Sequence, residues 1–144
     1  MHKVIVGVCV VEDGKVLMVK EAKKKCYGKW NFPAGHLDRN EDIFVGAVRE
    51  AKEETGFDVE LTGMLPIINY SGEDDELIKI SFMAKRISGE VEYDKNEILE
   101  VKWIPIEELE KMTVELRGFN CNMETIKDIK TNRVYPLEII KNII

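Results

Sequence analysis

The stretch whose reading decides the fold is Gly35–Phe57, G-H-L-D-R-N-E-D-I-F-V-G-A-V-R-E-A-K-E-E-T-G-F. Gly56 suits the position just past a helix C-terminus, and the residues before it have helical spacing. The spacing predicts a helix from about Asp42 to Thr55. At about 100° per residue, Ile43, Phe44, Ala47, Val48 and Ala51 then share one stripe. Glu50, Glu53 and Glu54 stand at i, i+3 and i+4 and form a second stripe, roughly a quarter turn away. Three crowded carboxylates repel each other, and each like-charged i,i+4 pair costs a few tenths of a kcal/mol. The arrangement makes sense with a hard cation among them. Mg²⁺ takes oxygen ligands, usually one or two carboxylates with waters and substrate phosphate oxygens, and it polarises phosphoryl groups and activates water. A Glu-Glu pair alone is usually a solvated helix face. The distinguishing feature is a leading glycine, five charged positions and a helix end fixed over 23 residues.

Outward from this stretch the pattern alternates between strands and turns. Trp30 to Pro33 reads as a short strand leading into it, preceded by a Lys-rich surface loop from Glu21 to Lys29. Val4 to Val11 is apolar on both alternating faces, which predicts a central strand covered on both sides. Asp13-Gly14 is a hairpin signal, with Val16 to Val19 returning as the partner. Downstream, Val59 to Tyr70 reads as strand, Ser71 to Asp75 as an acidic turn, and Leu77 to Ile87 as a strand with Ile78, Ile80, Phe82 and Ala84 alternating. Glu100 to Ile104 is another short strand, and Pro105 to Met112 a short helix. Asn120 to Thr131 reads as helix, with Met123, Ile126 and Ile129 every third residue. Strands on either side of one early helix, with a second helix near the end, predict an α/β domain with a mixed sheet between helices.

The chain has 144 residues, the length of a single domain, 1–144, with a real core. Its net charge is −6, and no basic run exceeds Lys23-Lys24-Lys25. That balance speaks against nucleic-acid polymers as partners. Cys9, Cys26 and Cys121 are widely spaced and odd in number, so neither a disulfide framework nor a zinc site is indicated. They read as reduced thiols, and with no signal peptide at the N-terminus the expected location is cytoplasmic. No apolar stretch approaches the roughly 18 residues of a membrane span, so no membrane partner is expected.

Glycine, five residues, Glu41, seven residues, Arg49-Glu50, then Glu53-Glu54 and Gly56-Phe57: this resembles the Nudix box, G-x5-E-x7-R-E-U-x-E-E-x-G-U with U apolar, at every fixed position. The resemblance implies the Nudix α/β/α sandwich and a magnesium-dependent hydrolase that cuts a diphosphate or phosphate ester of a small nucleotide-like molecule, with Mn²⁺ as the substitute ion. By motif position Glu50, Glu53 and Glu54 are the implied metal ligands, joined by the carbonyl of Ala34 and by a loop carboxylate before the late tryptophan strand, here Glu97. Gly35, Glu41, Arg49 and Gly56 are implied as structural members of the box. The implied chemistry is in-line attack of a water on phosphorus, with Glu53 or Glu50 taking its proton.

The likeness extends beyond the box. Trp30-Asn31-Phe32-Pro33-Ala34-Gly35-His36-Leu37, Trp103 with Pro105 and Glu107-Glu108-Leu109, and Leu116-Arg117 through Tyr135-Pro136-Leu137-Glu138 resemble the NudJ-like phosphatase branch. Val134 separates Arg133 from Tyr135, which that branch has adjacent. The branch removes phosphate from nucleoside di- and triphosphates and also acts on hydroxymethylpyrimidine diphosphate and thiamine diphosphate. Tyr27, Trp30 and Phe32 are candidates to stack a base, His36 and Arg117 to touch phosphate; each is also readable as core, loop or surface. Two alternatives stay open: a MutT-like housecleaning pyrophosphatase or nucleotide-sugar hydrolase, and a non-catalytic nucleotide-binding module. The product separates the first, and metal-dependent turnover the second. The oligomeric state stays open between monomer and homodimer.

Overall fold

β1 (Lys3–Glu12) carries apolar side chains on both faces, and both faces are covered. Val6, Val8 and Val10 are fully buried on one side, and Cys9 is fully buried on the other. The remaining strands and α-helices are β2 (Lys15–Glu21), β3 (Trp30–Asn31), β4 (Ala34–His36), α1 (Ile43–Thr55), β5 (Phe57–Met64), β6 (Ile68–Ser71), β7 (Glu76–Gly89), β8 (Ile98–Pro105), α2 (Ile106–Leu109) and α3 (Phe119–Lys130), with short 3-10 turns at Lys24–Cys26 and Leu137–Ile139. The computed structural model describes residues 2–72, 75–112 and 114–144.

The sheet runs β3-β2-β1-β7-β5, with β4 also on β1, β6 on β7 and β8 on β2. β1 and β7 are parallel, in the register Val6↔Ile80 and Val8↔Phe82, while the other pairings are antiparallel. The sheet is therefore mixed, as expected. α1 covers one face. Ala47 and Ala51 are fully buried there against the valines of β1, and Phe44 meets Phe82 edge-on with ring centroids 5.6 Å apart. Small residues at that contact let the helix backbone approach the sheet. Leu109 of α2 and Ile126 of α3 cover the other face with Cys9, Met18 and Phe32. The sandwich of helix, sheet and helix is thus observed. None of the described helices is long and apolar enough to cross a membrane.

Three expectations need correction. The segment Val59 to Tyr70 is not one strand: β5 ends at Met64 and β6 begins at Ile68. Pro66 lies in the gap and has no N–H to give a ladder. Trp30 to Pro33 is strand only over Trp30–Asn31 (β3), which pairs with β2; the separate β4 that follows it pairs with β1. The Lys-rich stretch is not wholly surface, because Glu21 and Cys26 are buried. In the predicted acidic turn, Glu73 and Asp74 lie outside the described residues. Its flanks are closed by the Ser71↔Glu76 pair and by Gly72 N–H donating to the Asp75 carbonyl at 2.9 Å.

Candidate active site

α1 begins where Asp42 Oδ1 accepts the N–H groups of Phe44 (2.8 Å) and Val45 (3.1 Å), satisfying two of the donors a helix start leaves free. It ends at Gly56, in the left-handed region at φ 85°. Between these caps the helix presents its carboxylates to the end of β4. The Glu50 carboxylate lies directly over Gly35, where any Cβ would overlap it, so the leading glycine is required by close approach. Glu54 Oε1 accepts the Ala34 N–H at 3.0 Å. Ala34 itself is fixed opposite Gly7 of β1. Two carboxylates and the backbone of Ala34–Gly35 are thereby brought to one place.

Arg49 holds this place in shape. Its Nε and Nη2 donate to the two oxygens of Glu41 at 2.7 and 2.9 Å, a bidentate pair. Its Nη1 donates to Glu50 at 2.8 Å and to Glu53 at 3.2 Å, and Nη2 also reaches the His36 carbonyl at 3.2 Å. Glu41 further accepts the Asp38 N–H. The Arg49 hydrogen bonds hold the Glu41 carboxyl at about 2, well below the usual carboxylate range. The Glu50 carboxyl is pushed up, because burial outweighs the opposing Arg49 contact. Burial pushes the Glu54 carboxyl up to about 8; the Ala34 N–H opposes this, and the charges of Glu21 and Glu50 add to it.

The far wall comes from outside α1. Glu21 is 2% exposed at the end of β2, accepts from Arg117 Nη1 at 2.5 Å, and takes the Cys26 thiol at 3.1 Å. Arg117 is positioned by its own backbone, whose N–H donates to the Trp30 carbonyl at 2.9 Å. Glu97 is half exposed and pairs with Lys23 at 3.1 Å. Lys23 also feels the charges of Glu21 and Glu54, so the Lys23–Glu97 pair lies within electrostatic reach of the same group. Behind it, sequence reasoning missed a buried polar network. Lys79 of β7 donates to Asn122 Oδ1 (2.9 Å), and Asn122 Nδ2 donates to Asn31 Oδ1 (2.9 Å) and to the Arg117 carbonyl (2.6 Å). The available signal was the alternation of β7, which sends Lys79 and Ser81 to the face that α3 covers.

The aromatic candidates separate. Phe32 is 1% exposed inside the core beneath α3, where no ring face is left for stacking a ligand, so its assignment to substrate is corrected to core. Trp30 is partly exposed, with Lys20 Nζ 5.7 Å from its ring centroid. Tyr27 is 65% exposed on the adjoining loop. The His36 side chain is exposed, and its carbonyl is the part tied to Arg49.

Glu50, Glu53, Glu54 and Glu97 do not form a converged cage. Among the described residues no three His, Cys, Asp or Glu side chains stand together as a metal-binding group. The reason is visible in the hydrogen bonds: Arg49 draws Glu53 and one oxygen of Glu50, and Lys23 draws Glu97. The donor set still fits a hard divalent cation. It is all oxygen, and Glu54 is a buried carboxyl that feels the charges of Glu21 and Glu50, with burial opposing its ionisation.

The model of the NUDIX domain matches residues 1–122 of the chain. "Putative nudix hydrolase 1" of Caenorhabditis elegans is 35% identical over 109 residues, 74% of this chain and 29% of the worm protein. "8-oxo-dGDP phosphatase NUDT18" of Mus musculus is 32% identical over 105 residues, 71% of this chain and 32% of the mouse protein. The chain thus spans about a third of the length of these curated relatives. A solved NUDIX hydrolase from Nitrosomonas europaea superposes with a TM-score of 0.90 at 26% identity, covering 98% of this chain and 97% of that one.

Proposed function

The chain belongs to the Nudix family, and from that premise we propose that it is a divalent-metal-dependent phosphohydrolase that releases inorganic phosphate from nucleoside di- and triphosphates. Hydroxymethylpyrimidine diphosphate and thiamine diphosphate are proposed as further substrates, with Mg²⁺ as the working ion and Mn²⁺ as its substitute. The observation that carries the reading is the meeting of Glu50 and Glu54 over Ala34–Gly35, with Arg49 locked by Glu41 beside them. Glu50, Glu53, Glu54, Glu97 and the Ala34 carbonyl are the proposed oxygen donors. A divalent ion held by them supplies charge stabilisation to the phosphoryl oxygens and a water of lowered pKa.

The chain's own residues do the rest. Arg49 orients Glu50 and Glu53 through one guanidinium, so either can receive the proton of the attacking water without leaving its place. Arg117, partly exposed and anchored on Glu21, is the proposed fixed positive charge for a phosphate. Trp30 and Tyr27, from the strand and loop beside Arg117, offer ring surface for stacking. Stacking and phosphate contacts do not read base edges, so broad base tolerance follows.

The mouse relative's name, a phosphatase of an oxidised nucleoside diphosphate, favours a second reading in which 8-oxo-dGDP is preferred. It agrees with the first on the bond cut. The test is a panel of nucleoside di- and triphosphates, 8-oxo-dGDP, hydroxymethylpyrimidine diphosphate and thiamine diphosphate with Mg²⁺, the products resolved by chromatography. Inorganic phosphate from most of the panel supports the first reading. A kcat/KM for 8-oxo-dGDP more than about tenfold above that for dGDP, or about 1.4 kcal/mol of discrimination, selects the second. Diphosphate as the product from triphosphates overturns both and leaves the pyrophosphatase alternative.

A further inference from the structure

We infer that Lys23 is a tethered counter-ion of the carboxylate group, holding Glu97 at the rim and competing with a divalent cation for the same negative charge. The inference rests on the metal-facing role proposed above for Glu54, Glu50 and Glu97. Lys23 Nζ lies 3.1 Å from Glu97 Oε2. The two loops are stitched at that level by their backbones, with Ala22 N–H donating to the Glu97 carbonyl at 2.9 Å. The backbones of the two residues are therefore held near each other by the fold, although both side chains are half exposed. Of the other cations near the group, Arg49 is held within the box by Glu41, Glu50 and Glu53, and Arg117 is held by Glu21. Lys23 is left facing Glu97 with Glu21 and Glu54 within electrostatic reach.

A divalent ion entering beside Glu54 repels the ammonium and claims Glu97. Each binding event therefore has to displace Lys23, and metal affinity is weakened by whatever the internal pairing is worth. The lysine side chain is half exposed, so the effect is modest: loss of a pair of this kind corresponds to roughly a two- to fivefold change.

The test is calorimetric titration of the full chain with Mn²⁺ in four forms: wild type, Lys23→Gln, Lys23→Arg and Glu54→Gln. Lys23→Gln is expected to bind Mn²⁺ roughly two- to fivefold more tightly than wild type, and Lys23→Arg to match wild type because it keeps the charge. Unchanged or weaker binding in Lys23→Gln, with Glu54→Gln impaired, overturns the inference and leaves the site reading standing. Absence of Mn²⁺ binding in the wild type, or full affinity in Glu54→Gln, overturns the site reading itself.

Discussion

At the scale of single residues, one arginine organises the acids. Glu41 receives two Arg49 donors and one backbone N–H, and its carboxyl is held at about 2 against an ordinary value of 4.5. A carboxyl depressed on folding contributes stability that is present above its unfolded pKa and is lost as pH falls through its folded one. The stability difference between wild type and Glu41→Gln, measured by urea unfolding, is therefore expected to be constant above pH 5 or so and to be lost progressively as pH falls from about 5 to about 1. A difference that persists unchanged at low pH would contradict the pairing. Glu54 has the opposite environment. Its Gln variant keeps an oxygen for the Ala34 N–H and buries no charge, so the fold is expected to survive. The loss should appear in kcat, by about 10²-fold or more, the scale for removing one group that stabilises transition-state charge. Activity near wild type, or failure to fold, counts against the assignment.

At the scale of elements, the box helix was legible almost to the residue because each of its signals is local. Asp42 and Gly56 are caps, and the apolar stripe has the helix period. Gly56 is expected to tolerate no side chain, since it sits at φ 85° and a Cβ would collide with the Glu90 carbonyl. Gly56→Ala should cost about 1–3 kcal/mol, a fall of several degrees in the thermal midpoint for a domain of this size. A change of under half a kcal/mol would show that the turn into β5 relaxes freely. The strands were legible as apolar runs, and their joints were less so. Pro66 was the written signal that β5 and β6 are separate, but both pair with β7, so a continuous β reading loses only the break. The buried Lys79 was illegible for another reason. Alternation in β7 places it opposite Ile78 and Ile80 but does not say that α3 covers that face, because helix placement is a long-range fact.

At the scale of the whole molecule, box members adjacent in sequence were found together, while the partners that complete the site arrive from distant segments: Glu21 from β2, Glu97 before β8, Arg117 before α3. Only the family resemblance pointed to Glu97 and Arg117, and nothing in the sequence pointed to Glu21, whose burial depends on Arg117 lying 96 positions away. These segments are joined through charge as much as through packing. The fold carries Glu50 and Glu54 in places where burial disfavours their ionised forms. A cation that binds there and not to the unfolded chain must stabilise the entire domain by mass action, by about 2.7 kcal/mol at a hundredfold excess over its Kd. For a chain of 144 residues the thermal midpoint is expected to rise by roughly 8–10 °C at that excess of Mg²⁺ or Mn²⁺. Glu54→Gln should show a much smaller rise under the same conditions, and Gly56→Ala, which leaves the carboxylates in place, should show the full rise from a lower starting midpoint. Scanning calorimetry on the three proteins with and without metal measures this. An equal rise in wild type and Glu54→Gln would mean the cation binds elsewhere. No rise in the wild type would mean that the acids at Ala34–Gly35 are not where a divalent ion is held.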